Sequence, residues 1–177
     1  MATDPALPWT AFEEVTADEL NKRRPIWVVK SLSESVTSST ALQNDDELFV
    51  TLPASSRWHV RLRAMFDTNG SATPDIKTDW TIPADATLVS LKWVLGPDSG
   101  STSRDNTNVR QGVYSHTSAI AYGSGEVSAD LWINIEEEFI IDIVTEGAVQ
   151  FRWAQNTSNA TATEIRAGSF IRAERIS

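Results

Sequence analysis

A run of strict two-residue alternation is the feature that most limits the fold of this chain. Positions 57 to 66 alternate between apolar side chains and side chains that are mostly basic. The apolar set is Trp58, Val60, Leu62, Ala64 and Phe66. Successive side chains of a strand point to opposite sides of a sheet, so this pattern predicts a β-strand with one buried face.

Similar short segments recur along the chain and predict further strands. Asn69-Gly70 follows the first segment and supplies the positive φ angles of a tight turn. The other predicted strands are 26–30, 47–52, 75–82, 87–95, 111–122, 131–135, 138–144, 148–155 and 170–176. About eight to ten short strands favour an all-β fold, a jelly-roll-like antiparallel β-sandwich, over an immunoglobulin-type one. We predict a linker or exposed edge strand at 31–40 and a long surface loop at 96–108.

The N-terminal residues have a different pattern and predict an arm. Thr16 and Glu19 fit a capping box, and Pro25 ends the basic stretch that follows, so a short helix is predicted over 16–24. Such a short helix is not stable alone, and we therefore expect the arm to gain order by packing. The predicted division is an arm at 1–26 and a β-sandwich domain at 27–177.

Composition excludes several classes of function. The 177 residues carry a formal charge of −9, which opposes binding to nucleic acid or anionic membranes. The sequence has no cysteine, which rules out disulfides. No stretch approaches the roughly 20 apolar residues that span a bilayer, and the first residues lack the pattern of a secretion signal. We expect synthesis in a cytoplasm, with no nucleic-acid and no membrane partner.

Residues that could carry catalysis or bind metal are sparse. His59 and His116 are the two histidines, and neither has a partner at a recognisable spacing. Ser169 lacks the second glycine of a nucleophile elbow and is predicted to be a turn residue. Acidic clusters occur at 67–69, at 98 with 105–106, and at 136–138, but none has the register of a calcium loop. We expect no enzyme, no cofactor and no metal, with calcium at an acidic cluster as the alternative.

Charged and aromatic residues suggest contacts between chains. Arg57, Arg61 and Arg63 form a basic face that could pair with 136–138 on a neighbouring strand or subunit, or remain a solvated mixed-charge surface. Seven tryptophans exceed what one sandwich core ordinarily requires. The predicted inter-subunit contacts are Arg57, Arg61, Arg63, Trp132 and Trp153.

Several short segments together resemble those of one family. They are 8–10 with 15–21 at the start, 75–77 with 83–86 in the middle, and 153–157, 161–163 and 167–172 at the end. In these segments the sequence is similar to the jelly-roll-like virion structural proteins, capsid decoration or minor tail proteins, of tailed actinobacteriophages.

The resemblance implies a homotrimer on the virion surface that contacts the major capsid protein or other virion proteins. A capsid decoration protein would attach through the arm, with Trp9, Phe12 and Leu20 as attachment residues. Two alternatives stay open. One is a minor tail or fibre-tip protein that binds a host-surface glycan through loop 96–108. The other is a glycan hydrolase, which would require paired carboxylates.

Overall fold

The computed structural model describes residues 16–22, 24–69, 71, 73–99, 109–115, 118–124 and 132–177. Within these ranges the single helix is α1 (Ala17–Lys22), shorter than the predicted 16–24. Trp9 and Phe12 lie outside the described residues. No helix in the described part of the chain is long and apolar enough to cross a membrane.

Thirteen strands follow the helix in the part of the chain that the structure describes. They are β1 (Ile26–Val29), β2 (Glu34–Val36), β3 (Gln43–Leu52), β4 (Ser56–Asp67), β5 (Ile76–Thr81), β6 (Thr87–Leu88), β7 (Lys92–Pro97), β8 (Val109–Tyr114), β9 (Ile120–Tyr122), β10 (Ile133–Ile143), β11 (Gly147–Ala154), β12 (Thr163–Ile165) and β13 (Phe170–Arg175).

The strands form two sheets in which every pairing is antiparallel. Sheet A has the order β1-β13-β4-β10-β7-β8, with β2, β6 and β12 attached to it. Sheet B has the order β3-β11-β5-β9. The prediction of an all-β chain is therefore confirmed, and the architecture is consistent with a β-sandwich.

Strand β4 shows why the sequence folds in this way. Its apolar positions from Trp58 to Phe66 are 0–3% exposed, while Arg61 and Arg63 on the alternate positions are exposed. Trp80 of sheet B packs edge-on against Phe139 of sheet A, with 5.0 Å between ring centroids. The hydrophobic core thus forms where the alternating faces of β4 and β10 meet those of β5 and β11.

Pairing between distant segments corrects two sequence predictions and decides between the alternatives of a third. Segment 111–122 is not one strand, because β8 lies in sheet A and β9 in sheet B. Segments 131–135 and 138–144 instead belong largely to one strand, β10. Part of 31–40 forms β2, whose one partner among the described strands is β12, so the edge strand is the alternative observed. The alternation pattern did not reveal β12 itself.

The predicted loop at 96–108 begins later than expected. Gly96 and Pro97 belong to β7, and residues 100–108 lie outside the described residues. A Cβ atom at Gly96 would come within 2.5 Å of the Tyr122 ring, so glycine lets these two strands approach closely.

Strand β1 begins close to the predicted domain boundary. Ile26 pairs with Ala173, so sheet A begins one residue before the predicted domain start at 27.

Asn69 has a positive φ of 48°, as expected of the residue before Gly70. The strands around this turn, β4 and β5, lie in different sheets, so the turn crosses the sandwich instead of closing a hairpin.

Candidate interaction face

The outer surface of sheet A carries two adjacent rows of opposite charge. Strand β4 points Arg57, His59, Arg61 and Arg63 away from the core, and neighbouring β10 points Glu136, Glu138 and Asp142 to the same side. We call these seven residues the charged face. It forms because basic residues alternate with apolar ones on β4 and acidic residues alternate with buried ones on β10.

Arg57 and Asp142 close one end of the charged face. They are opposite each other in the register, and the Arg57 Nε and Nη2 atoms donate to the two carboxylate oxygens over 2.6 and 2.8 Å. This hydrogen-bonded pairing raises the pKa of Arg57 and lowers the pKa of Asp142. The side chains stay 35% and 38% exposed, so the pair contributes little to stability despite its good geometry.

The next pair is shifted by one step along the strands. Arg61 lies opposite Glu138 but donates to Glu136 over 2.7 Å, a contact that raises the Arg61 pKa. Arg63, which lies opposite Glu136, is therefore exposed and makes no ion pair within the described part of the chain. The predicted pairing with the acidic cluster thus occurs on the neighbouring strand for Arg61, and Arg63 keeps its guanidinium available.

His59 lies on the same surface between two carboxylates. Its Nε2 atom is 3.5 Å from Glu138, and its Nδ1 atom is 3.9 Å from Glu174 on β13. His116 lies outside the described residues. Among the residues described, no group of three or more His, Cys, Asp or Glu is placed to hold a metal ion.

Apolar side chains border the charged face at both ends of sheet A. At the β1 edge, Trp27 and Val29 are more than half exposed, and the Trp27 ring lies 5.2 Å from that of Phe170. At the β8 edge, Val109 and Val113 are also more than half exposed. The surface of sheet A is therefore apolar at its ends and charged at its centre.

Glu137 lies on the opposite side of β10 from the charged face and is fully buried. Its carboxylate accepts hydrogen bonds from Trp80 Nε1 over 2.7 Å, from the Tyr122 hydroxyl over 2.9 Å and from the Thr78 hydroxyl. Lys92 Nζ, also fully buried, lies 3.4 Å away. Burial and the neighbouring Glu137 raise the pKa of Tyr122 far above its ordinary value.

Sequence reasoning missed this cluster because it treated Glu136, Glu137 and Glu138 as one acidic group. The period of two in β10 would have separated Glu137 from its neighbours. The cluster is closed to substrate, since Glu137 and Lys92 are 0% exposed. Its groups satisfy one another between the two sheets, which is a structural use of polar residues.

Trp153 is not available for an inter-subunit contact. Its side chain is 0% exposed in the core, and its Nε1 atom donates to Asp45 over 3.2 Å. Asp45 also accepts from buried Lys30 over 2.8 Å. Burial lowers the Lys30 pKa, but its hydrogen bonds to Asp45 and Glu34 outweigh that effect and raise it above its ordinary value.

The remaining predicted contact residues have simple surroundings. Trp132 is partly exposed, and the Arg166 guanidinium lies 3.0 Å from the centre of its ring within the same chain. Leu20 on α1 is 54% exposed. Ser169 follows Gly168, whose φ is +89°, and its hydroxyl accepts from the Met65 backbone N–H, which fits a turn residue.

Comparison with known proteins identifies no family for this chain. No family model and no curated protein matches this chain. A solved structure of the infectious bursal disease virus Gx strain contains a chain that matches at 10% sequence identity with a TM-score of 0.21. The match covers 87% of this chain and 36% of that one, so this chain spans about a third of the viral chain. A likeness this low carries no argument about function.

Proposed function

We propose that this chain is a bacteriophage virion structural protein that decorates the capsid surface and attaches through its N-terminal arm. The sequence resemblance to virion proteins of tailed bacteriophages is the starting point. The observation that carries the proposal is the order of strands in the two sheets, β1-β13-β4-β10 and β3-β11-β5-β9.

These strand orders support a jelly roll. Eight strands, β1, β3, β4, β5, β9, β10, β11 and β13, form two groups of four, and strands consecutive among these eight lie in opposite sheets except β5 and β9. The hairpin of β7 and β8 is inserted between those two and extends sheet A. Jelly rolls form viral capsid domains as well as lectins and cupins, so the fold supports a virion role only together with the resemblance.

A binding role suits the described residues better than catalysis. The group of polar side chains around Glu137 is sealed between the sheets, where no substrate reaches it. The partly exposed carboxylates Glu136 and Asp142 are held by arginines on the neighbouring strand. We therefore propose that the protein acts through its surfaces and is not an enzyme.

The arm supplies the means of attachment in this proposal. It enters the sandwich directly, because β1 begins at Ile26, and Leu20 on α1 leaves more than half of its side chain exposed. Trp9 and Phe12 precede it in the sequence. Burying these apolar side chains on a shell would stabilise the complex, and a self-associated protein would multiply the gain through effective concentration.

The copy number of this chain in purified virions tests the location. Quantitative mass spectrometry against the major capsid protein should give about one copy per capsid subunit, or a fixed large fraction of that ratio. A few copies per particle would contradict decoration and favour the alternative, a minor tail or fibre-tip protein that binds a host-surface glycan. Absence from virions would overturn both proposals.

Truncation of the arm tests the mode of attachment. Removal of residues 1–24 leaves β1 intact, whereas removal through 26 would take Ile26 from its pairing with Ala173. We expect the truncated protein to keep its thermal unfolding midpoint and to lose binding to particles that lack the protein, measured by co-sedimentation. Full binding by the truncated protein would contradict an attachment role.

Point variants in the full chain sharpen the truncation experiment. The triple variant Trp9→Ala, Phe12→Ala and Leu20→Ala should bind shells at least about tenfold more weakly, because a buried large apolar side chain contributes roughly 1.5–3 kcal/mol. The matched control is Leu32→Ala with Val144→Ala, which truncates exposed apolar side chains outside the arm. Equal binding by both variants would show that arm side chains are not specific to attachment.

A further inference from the structure

Two rows of outward side chains cross the six strands of sheet A in register. From the β1 edge to the β8 edge, the first row is Trp27, Arg172, Arg61, Glu138, Trp93 and Val113. The second row is Val29, Phe170, Arg63, Glu136, Leu95 and Gln111. All twelve side chains are exposed or partly exposed, and their sequence neighbours point to the core or the sheet interior.

The order of these residues makes the surface complementary to itself. The cationic strand β4 and the anionic strand β10 are the two central strands, and apolar residues lie toward both ends. The two copies are related by a two-fold axis that runs parallel to the strands, above the boundary between β4 and β10. Rotation about this axis places β4 of one copy over β10 of the other. The same rotation places the β1 edge of each copy over the β8 edge of the other.

We propose that two copies of this chain pack face to face through the outer surface of sheet A. In this arrangement Arg63 faces Glu136 of the second copy, and Arg61 faces Glu138. Phe170 faces Leu95 of the second copy. Each contact occurs twice, as in any isologous interface, and the sheets would lie about 10 Å apart as in a β-sandwich.

The first row adds aromatic contacts to the same arrangement. Arg172 faces Trp93 of the second copy, where a guanidinium over an aromatic ring is favourable, and Trp27 faces Val113. Trp27 and Val113 are 54% and 58% exposed in the single chain, so their burial supplies an apolar contribution.

Arg63 explains why a second copy is the partner that fits. It is the cation of the charged face that makes no ion pair within the described residues, because Glu136 bonds to Arg61 instead. The two-fold packing places Arg63 opposite Glu136 of the second copy, whose carboxylate would then be shared between Arg63 and that copy's own Arg61. A partner uniform in charge would oppose one of the two central strands, whereas a second copy matches both.

This contact differs from the homotrimer that the sequence resemblance implies, because a self-complementary patch joins two copies while a ring uses two different patches. It is also independent of capsid decoration. Sedimentation velocity of the purified full chain should give a species of two chains, each of 19.5 kDa. A single-chain mass, or a three-chain mass unchanged by the variants below, would overturn the proposal.

A charge exchange tests the central contact. Arg63→Glu places like charges opposite each other twice, and we expect the dimer dissociation constant to rise about a hundredfold or more. The double variant Arg63→Glu with Glu136→Arg restores opposite charges and should recover most of the affinity. Lys77→Glu on sheet B is the control for net charge and should dimerise normally. Failure of the double variant to recover, with its unfolding midpoint intact, would contradict the contact.

Cysteine cross-linking tests the geometry without altering charge. The chain has no cysteine, so Trp27→Cys with Val113→Cys introduces one thiol at each edge of sheet A. Within one chain these strands are five spacings apart, roughly 24 Å, beyond the reach of a short bismaleimide. We expect a covalent dimer from the double variant and only monomer from either single variant. Covalent trimers would indicate a ring, and no cross-link would contradict the face-to-face contact.

Discussion

Glu136, Glu137 and Glu138 are consecutive in sequence, yet they occupy two different environments. Glu136 and Glu138 lie on the charged face and are partly exposed to water. Glu136 bonds to Arg61, and Glu138 lies beside His59. Glu137 is completely buried and accepts hydrogen bonds from the Trp80, Tyr122 and Thr78 side chains beside Lys92. One strand thus places glutamate side chains both on the solvent-facing surface and in the core.

The difference shows that position within the strand, not charge, decides what a carboxylate contributes. A solvated pair gains little because water screens it and would solvate either partner alone. A buried pair is different, since removal of one partner leaves the other charge without compensation in the interior. The first prediction addresses the buried member, where the effect should be largest.

Glu137→Gln should destabilise the fold by about 3–5 kcal/mol, because it leaves the Lys92 ammonium buried without a counter-charge. The amide keeps nearly the volume of the carboxylate, so loss of packing does not explain the effect. Urea unfolding followed by tryptophan fluorescence measures it.

The double variant Glu137→Gln with Lys92→Met is the control. It removes both charges, and the glutamine amide can accept from Trp80 while donating to the Thr78 and Tyr122 oxygens. We expect it to be more stable than Glu137→Gln alone by at least about 2 kcal/mol. Additive losses would show that Lys92 and Glu137 are not coupled.

Asp75 sharpens the comparison, because it is a buried carboxylate that pairs with no cation among the described residues. It is 7% exposed and accepts from the Ser124 backbone N–H over 3.0 Å and from the Ser124 hydroxyl. Burial raises the Asp75 pKa, although the hydrogen bonds from Ser124 oppose that shift. A raised folded pKa means that this group stabilises the fold fully below its unfolded pKa of about 3.9 and that this contribution is lost as pH rises through the folded value.

Asp75→Asn should therefore be neutral or stabilising at pH 7, by up to about 1 kcal/mol, in contrast to Glu137→Gln. Asparagine retains an oxygen for Ser124 and tolerates the positive φ of 48° at this position. Unfolding free energies measured between pH 4 and 7 should show a smaller pH dependence in the variant than in the wild type. A loss of several kcal/mol at pH 7 would mean that the charge itself is required.

The same contrast explains how much of the fold the sequence could predict. The alternation in β4 predicted its buried face correctly from Trp58 to Phe66, because a period of two is a local property. Strand β12 was not predicted, and β2 was predicted only as one of two alternatives, since Glu34–Val36 and Thr163–Ile165 are stabilised by pairing across more than 120 intervening residues. Nor could the pattern assign β8 and β9 to different sheets.

The candidate site was predictable in part for the same reason. The basic row Arg57, Arg61 and Arg63 followed from local alternation, and the structure places all three on one side of β4. The partners of this row on β10 depend on register, which one sequence does not specify. So does the diagonal shift that leaves Arg63 without an ion pair in the ranges that the structure describes. Trp153 was assigned to an interface because tryptophan was counted by composition, whereas alternation in β11 buries it.

Asp142→Asn tests the solvated end of the comparison and should have the smallest effect. Arg57 holds the pKa of Asp142 below its ordinary value, so the pair stabilises the fold above the unfolded pKa of about 3.9 and that contribution is lost as pH falls through the folded pKa. Because both side chains are more than a third exposed, we expect a loss of about 0.5 kcal/mol or less at pH 7.

Salt and acid distinguish this small effect from a general loss of stability. The difference between wild type and Asp142→Asn should shrink in about 1 M salt, where the screening length falls to roughly 3 Å, and should vanish at acidic pH. Glu146→Gln, which removes an exposed carboxylate with no ion pair in the described part of the chain, is the matched control. An equal loss of unfolding free energy in Asp142→Asn and Glu137→Gln would contradict the role given to solvent exposure. The two hydrogen bonds from Arg57 to Asp142 would then stabilise the fold as much as the buried pair does.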